Sequence, residues 1–143
     1  MNAATTTKPL AVVAVGGNAL IRDDLHMALA DQYAAVCATA THVAGMVAAG
    51  WNVVLTHGNG PQVGFILRRS EIADGQVPTV PVQYAVGDTQ GAIGFMFQNA
   101  LGNALLGKGL RTPVVTLVTQ TLVDRRDPAF GKPDKPIGSF LTE

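Results

Sequence analysis

Thr56-His57-Gly58-Asn59-Gly60-Pro61-Gln62-Val63-Gly64 follows the apolar run from Trp51 to Leu55, and Gly16-Gly17-Asn18 follows an earlier run from Leu10 to Val15. Two strand-like runs thus each empty into a glycine-rich turn. At the carboxyl ends of parallel strands such turns offer bare backbone N–H groups and a helix N-terminus to an anion, since glycine has no Cβ to block close approach. The pattern points to a phosphate handled by an α/β sheet.

Outward from these turns, strand-like runs alternate with longer helix-like ones, as in right-handed βαβ units with a parallel sheet covered by helices. Leu10–Val15 reads as the first strand and roughly Asp31–Ala49 as a helix. Its apolar positions Val36, Ala40, Val43 and Val47 recur every three or four residues, and Gly50 suits its C-terminal stop. Asn52–Leu55 is the second strand. Pro61 falls in the first turn of the next helix, where its missing N–H costs nothing, and that helix runs to about Ala73. After a turn-rich segment, Asp74 to Pro81, a helix is expected from about Asp88 to Leu106, with Ile93, Phe97, Ala100, Leu101, Ala104 and Leu105 as its apolar stripe. Gly87, Gly91, Gly94 and Gly102 weaken it in isolation, which suggests close packing against another backbone. Val114–Val118 reads as a third strand. From Arg125 the chain becomes charged and turn-rich, the character of a hairpin or flap projecting from a sheet.

The composition is that of a globular chain. Of 143 residues, 48% are hydrophobic and 14% charged, which argues against disorder, and the formal net charge of zero argues against a nucleic-acid surface. The single Cys37 forms no disulfide within the chain and no cysteine-based metal site; it reads as a buried small hydrophobe or, alternatively, a reactive thiol. Met1 to Pro9 lacks the basic start and apolar core of a secretory signal, and Leu10–Val15 is far shorter than the ~20 residues that span a bilayer. The expectation is a cytoplasmic protein without membrane association. No Walker-type GxxxxGK[ST] loop and no G-x-G-x-x-G at a strand–helix junction occurs.

Ala14-Val15-Gly16-Gly17-Asn18-Ala19-Leu20, Thr56 to Gly64, Thr89-Gln90-Gly91-Ala92-Ile93-Gly94, Val123-Asp124 with Asp127-Pro128-Ala129-Phe130, and Lys135-Pro136-Ile137-Gly138 stand in the order found in one family. Over residues 11 to 140 the chain resembles the N-terminal half of carbamate kinases, within the amino-acid kinase superfamily. The glycine-asparagine block alone would indicate only the superfamily; the last block is similar to the protruding flap of carbamate kinases.

The resemblance implies a three-layer α/β/α sandwich with a mainly parallel sheet and a protruding hairpin flap. Its organisation would be a disordered tail at 1–9, the N-terminal part of the kinase domain at 10–124, and a flap at 125–143 that is truncated. It implies the reversible reaction of ATP with carbamate to give ADP and carbamoyl phosphate, run toward ATP in arginine catabolism, with Mg2+ accompanying the nucleotide. Gly16, Gly17, Asn18, Gly58, Asn59 and Gly60 would hold the transferring phosphoryl group, and Lys135 would act as the catalytic cation reaching from the flap. These residue types suit a loose transition state whose charge lies on three equatorial oxygens, where positioning and neutralisation are the protein's main work. Family members run to roughly double this length, and the second half supplies the nucleotide pocket. The segment Ile21 to Leu29 also lacks the Gly-Glu-rich loop expected after the first glycine turn.

Each assignment has a plainer competitor. The glycines could serve tight turns alone, Asn18 and Asn59 could be caps or Asx-turns, and a lysine in a charged excursion is ordinarily solubilising. His57 reads as a structural residue at a strand end rather than a base. Asp88, Asp124 and Asp127 are explained as well by capping and turns as by magnesium, so no metal ligand is assigned. Gln90 faces either the site or a dimer partner. Two functions follow: a carbamate kinase-like phosphotransferase whose isolated chain is inactive for want of the nucleotide half, or a non-catalytic carbamoyl-phosphate-binding or regulatory half-subunit needing a separately encoded partner. An unpaired sheet edge and an uncovered apolar face predict a homo-oligomer, with the glycine-rich helix as its dimer surface.

Overall fold

The computed structural model describes residues 7–21, 23, 25–134 and 137. They form an α/β structure whose elements are strand β1 (Leu10–Val15), helix α1 (Leu29–Ala48), strand β2 (Asn52–His57), and helices α2 (Gly60–Ile72) and α3 (Val82–Gly107). The chain divides into two compact units, 1–58 with 94–116 and 59–93 with 117–143.

In the first unit β1 and β2 pair in parallel, from Leu10 opposite Asn52 to Val15 opposite His57. β2 is two residues longer than the sequence suggests, because the pairing continues through Thr56 and His57. Two flanking bonds extend it: Asn52 N–H donates to Pro9 O at 2.8 Å and Gly58 N–H to Val15 O at 2.9 Å. Side chains alternate across the sheet, so Val13 and Val15 face inward while Leu10 and Val12 are exposed. α1 packs onto β2 and buries Gln32, Ala35, Val36, Ala40, Val43 and Ala44. That stripe is the one the spacing predicts, except that Val47 is only half-buried.

Gly50 ends α1. It adopts φ 95° while Trp51 N–H reaches Met46 O at 3.1 Å and Gly50 N–H reaches Val47 O at 3.0 Å, the paired bonds of a Schellman stop. Gly109 (φ 72°) ends α3 in the same way, with Leu110 N–H on Leu105 O and Gly109 N–H on Leu106 O, both at 2.9 Å.

α3 begins six residues before the expected Asp88. Pro81 O accepts the first bonds, from Tyr84 and Ala85 N–H, and Ala85 is fully buried. Asp88, which looks like a cap in the sequence, is an exposed residue inside the helix. Of its expected apolar stripe, Ile93, Phe97, Ala100 and Leu105 are buried and Leu101 and Ala104 half-buried. The close backbone approach expected of the helix glycines is not what they show among the described residues: a Cβ at Gly94 would overlap the Thr116 side chain, and Gly87, Gly91 and Gly102 have open space around them.

The expected third strand, Val114–Val118, is a correction. These residues join no ladder, and the sheet has two strands among the described residues. Their β-branched side chains suit a strand, but a strand also needs a neighbour's N–H and C=O groups. Here a side chain of α3 serves instead, Gln98 Nε2 donating to Val114 O at 3.1 Å.

In the second unit Ser70 Oγ, on α2, accepts from Val80 N–H at 2.6 Å and holds the loop that precedes α3. The described part of the charged excursion carries a short 3-10 turn, Pro128–Phe130, which Asp127 caps by accepting from Ala129 N–H at 2.8 Å. No helix among the described residues is long and apolar enough to cross a membrane.

Candidate functional site

The first glycine turn is built by backbone bonds. Gly16 is extended (φ −64°, ψ 157°), and Gly17–Ala19 then closes a 3-10 turn in which Ala19 N–H donates to Gly16 O at 3.0 Å and Leu20 N–H to Gly17 O at 3.1 Å. Leu20, 1% exposed, anchors the turn in the core. Gly58 comes directly against it: a Cβ at position 58 would lie 2.8 Å from Gly17 N and 3.3 Å from Gly17 Cα. The two glycine turns therefore meet backbone to backbone, a separation only a glycine at 58 permits. Gly16 and Gly60 have nothing within 4 Å of where a Cβ would stand among the described residues.

His57 Nδ1 lies 3.2 Å from Gly58 O. A carbonyl accepts only, so Nδ1 is the donor of this contact and His57 braces the turn through it.

In the second unit Asn59 stands at the N-cap of α2, yet its side chain does not cap the helix. Asn59 Nδ2 donates to Thr89 Oγ1 at 2.9 Å, and Thr89 Oγ1 donates to Val86 O at 2.9 Å. Thr89 is 2% exposed. Its single hydroxyl hydrogen is committed to the carbonyl, so it accepts from Asn59, which fixes which end of the Asn59 amide faces it. The Gly60 N–H precedes the first bond of the helix, donated by Val63 N–H to Asn59 O at 3.0 Å, and Pro61 has no N–H to offer.

Gln90, the residue beside Thr89, bonds within the chain to Thr119. Thr119 N–H donates to Gln90 Oε1 at 2.8 Å and Gln90 Nε2 donates to Thr119 O at 3.3 Å, so the amide acts on Thr119 as a neighbouring strand would. Neither Thr89 nor Gln90 could be placed from the sequence, because their partners lie about 30 residues away.

Of the acidic candidates, Asp124 and Asp127 make local turn and cap bonds, whereas Asp88 is an exposed residue inside α3 and caps nothing. Asp124 accepts from Arg126 N–H at 2.9 Å and from its guanidinium, and the Arg126 side chain holds its carboxyl below the usual range. Among the described residues no three His, Cys, Asp or Glu side chains converge, so they build no metal cage. Leu122 to Arg126 line an open surface hollow in the second unit. Lys135 lies outside the described residues, as does the Asn18 side chain.

No family model matches the chain. It is 48% identical over 138 residues to the carbamate kinase-like protein YahI of Escherichia coli, covering 95% of this chain and 43% of that one. To the carbamate kinase of Pyrococcus horikoshii it is 43% identical over 134 residues, 92% of this chain and 43% of the relative. A solved carbamate kinase from Giardia superposes on 96% of the chain with a TM-score of 0.89 at 38% identity, using 46% of its own length. The Giardia lamblia enzyme bound to AMP-PNP gives a TM-score of 0.87 at 39% identity. The chain spans less than half the length of the curated relatives it matches. In sequence and in backbone, it is a homologue of the N-terminal portion of carbamate kinases.

Proposed function

We propose that the chain supplies the carbamoyl-phosphate and phosphoryl-binding portion of a carbamate kinase-like phosphotransferase. The observation that carries this reading is the meeting of Gly58 with Gly17, which brings the backbones of two glycine turns together at the carboxyl ends of paired parallel strands. In the reaction a carbamate oxygen attacks the γ-phosphorus of ATP, the bond to ADP breaks, and ADP leaves with the electron pair; carbamoyl phosphate and ADP return by the reverse path. The chain's part is to orient the phosphoryl oxygens and meet their charge with fixed donors, the amides of the Gly16–Asn18 and Gly58–Gly60 turns and the Asn59 side chain. Lys135 would add a positive charge. Magnesium would arrive with the nucleotide phosphates, as it does where one or two carboxylates and the substrate hold it, and no step is assigned to it.

The same reading carries the three-layer sandwich with its flap, ATP formation in arginine catabolism, a cytoplasmic setting, and a homodimer formed through α3, whose Phe95 and Leu106 are exposed.

The test is ATP formation from carbamoyl phosphate, ADP and magnesium by the purified chain, alone and with the remaining portion of a carbamate kinase expressed separately. Turnover on complementation is the expected result. Carbamoyl-phosphate binding without turnover in either mixture would favour a non-catalytic binding subunit, and neither binding nor turnover would overturn the proposal.

A further inference from the structure

Thr89 and Gln90 are adjacent on α3 and reach two parts of the second unit that are far apart in sequence. Thr89, buried, holds the Asn59 amide; Gln90 holds both backbone groups of Thr119, in the segment leading to the charged excursion. No backbone bond outside this pair involves Thr119 among the described residues.

We infer that Thr89 is a positioning residue for phosphate recognition, acting through Asn59, and that Gln90 fixes Thr119, in the segment leading to the excursion, from the same helical turn. This inference rests on the phosphoryl-binding reading of the Asn59 turn. A terminal amide can rotate by half a turn and exchange its oxygen for its nitrogen with little change in shape, so an asparagine beside an anion presents a donor or a repelling acceptor according to what fixes it. The Thr89 hydroxyl removes the ambiguity. Its hydrogen is used on Val86 O, it can only accept from Asn59, and the Asn59 nitrogen is held there with its second N–H left to serve another acceptor. A valine at 89 has nearly the same volume but offers no acceptor, whereas a serine keeps the hydroxyl.

The experiment compares the full chain with Thr89→Val, Thr89→Ser and Gln90→Leu by amide NMR, titrating carbamoyl phosphate and following the Asn59 side-chain amide and the Gly17, Gly58 and Thr119 backbone amides. Thr89→Val is expected to weaken carbamoyl phosphate by roughly tenfold, as loss of one oriented donor to a charged acceptor does, and Thr89→Ser to restore it. Gln90→Leu is expected to speed exchange at the Thr119 amide roughly two- to tenfold. Unchanged affinity in a folded Thr89→Val chain would overturn the inference, leaving Thr89 a space-filling core residue. If the wild-type chain itself shows no response to carbamoyl phosphate, the phosphoryl-binding reading falls. The Asn59 side-chain resonances then decide the orienting role alone: they must move in Thr89→Val and stay in Thr89→Ser, and a set unmoved in both overturns it.

Discussion

The turns at Gly16 and Gly58 are written in the same letters but owe their glycines to different causes. The space where a side chain would stand at Gly58 is filled by the backbone of Gly17, so the fold itself forbids a Cβ there. Around Gly16 and Gly60 that space is open among the described residues, and neither backbone has a positive φ. An alanine would fit both positions without strain. The contrast separates a glycine required by packing from glycines whose bare backbone suits something that approaches from outside, as an oxyanion would.

Substitution can break this comparison directly. Gly58→Ala should have the largest effect, about 3 kcal/mol of stability, the upper range for overpacking, because its Cβ meets backbone that cannot rotate away; a chemical-denaturation midpoint unchanged from wild type would remove the packing account. Gly94→Ala is the side-chain counterpart. Its Cβ overlaps Thr116, whose side chain can turn, so about 1–2 kcal/mol is expected, with most of it recovered in the double variant Gly94→Ala/Thr116→Ala. Additive losses in that cycle would show that the two residues do not share the contact.

Gly50→Ala tests conformation rather than space, since nothing crowds Gly50 but its φ is 95°. A cost of roughly 1–2 kcal/mol follows from placing a Cβ in the left-handed region. Gly16→Ala and Gly60→Ala should leave the thermal midpoint nearly unchanged while weakening carbamoyl phosphate by roughly tenfold; retained binding in both would mean these glycines serve no ligand. The smallest effect belongs to Asp124. Arg126 lowers its folded-state pKa, so its contribution is present above the ordinary carboxylate pKa and lost as pH falls through the depressed value. Asp124→Asn should therefore differ slightly from wild type at neutral pH and converge with it in acid, when stability is followed against pH.

Much of the fold was legible because its signals are local. The Val36, Ala40 and Val43 spacing marks α1, Gly50 and Pro61 punctuate the chain where helices stop and start, and Leu10–Val15 ends as a strand where Gly16 begins the turn. The start of α3 was misplaced because Pro81 begins it without a polar cap while Asp88 imitates one. Val114–Val118 misled for the opposite reason: its side chains satisfy strand propensity, but the pairing it lacks is a property of neighbours.

By itself the sequence determined the helix periods, the paired glycine turns, the order of the family blocks and hence the homology to carbamate kinases. Only the tertiary structure decided that Gly58 must be glycine because Gly17 lies against it, that Thr89 orients Asn59, and that Gln90 binds Thr119. The reason is range. Periodicity and capping act within a turn or two of the chain, whereas these contacts join residues about 30 to 40 positions apart, and their geometry exists only after the elements have packed.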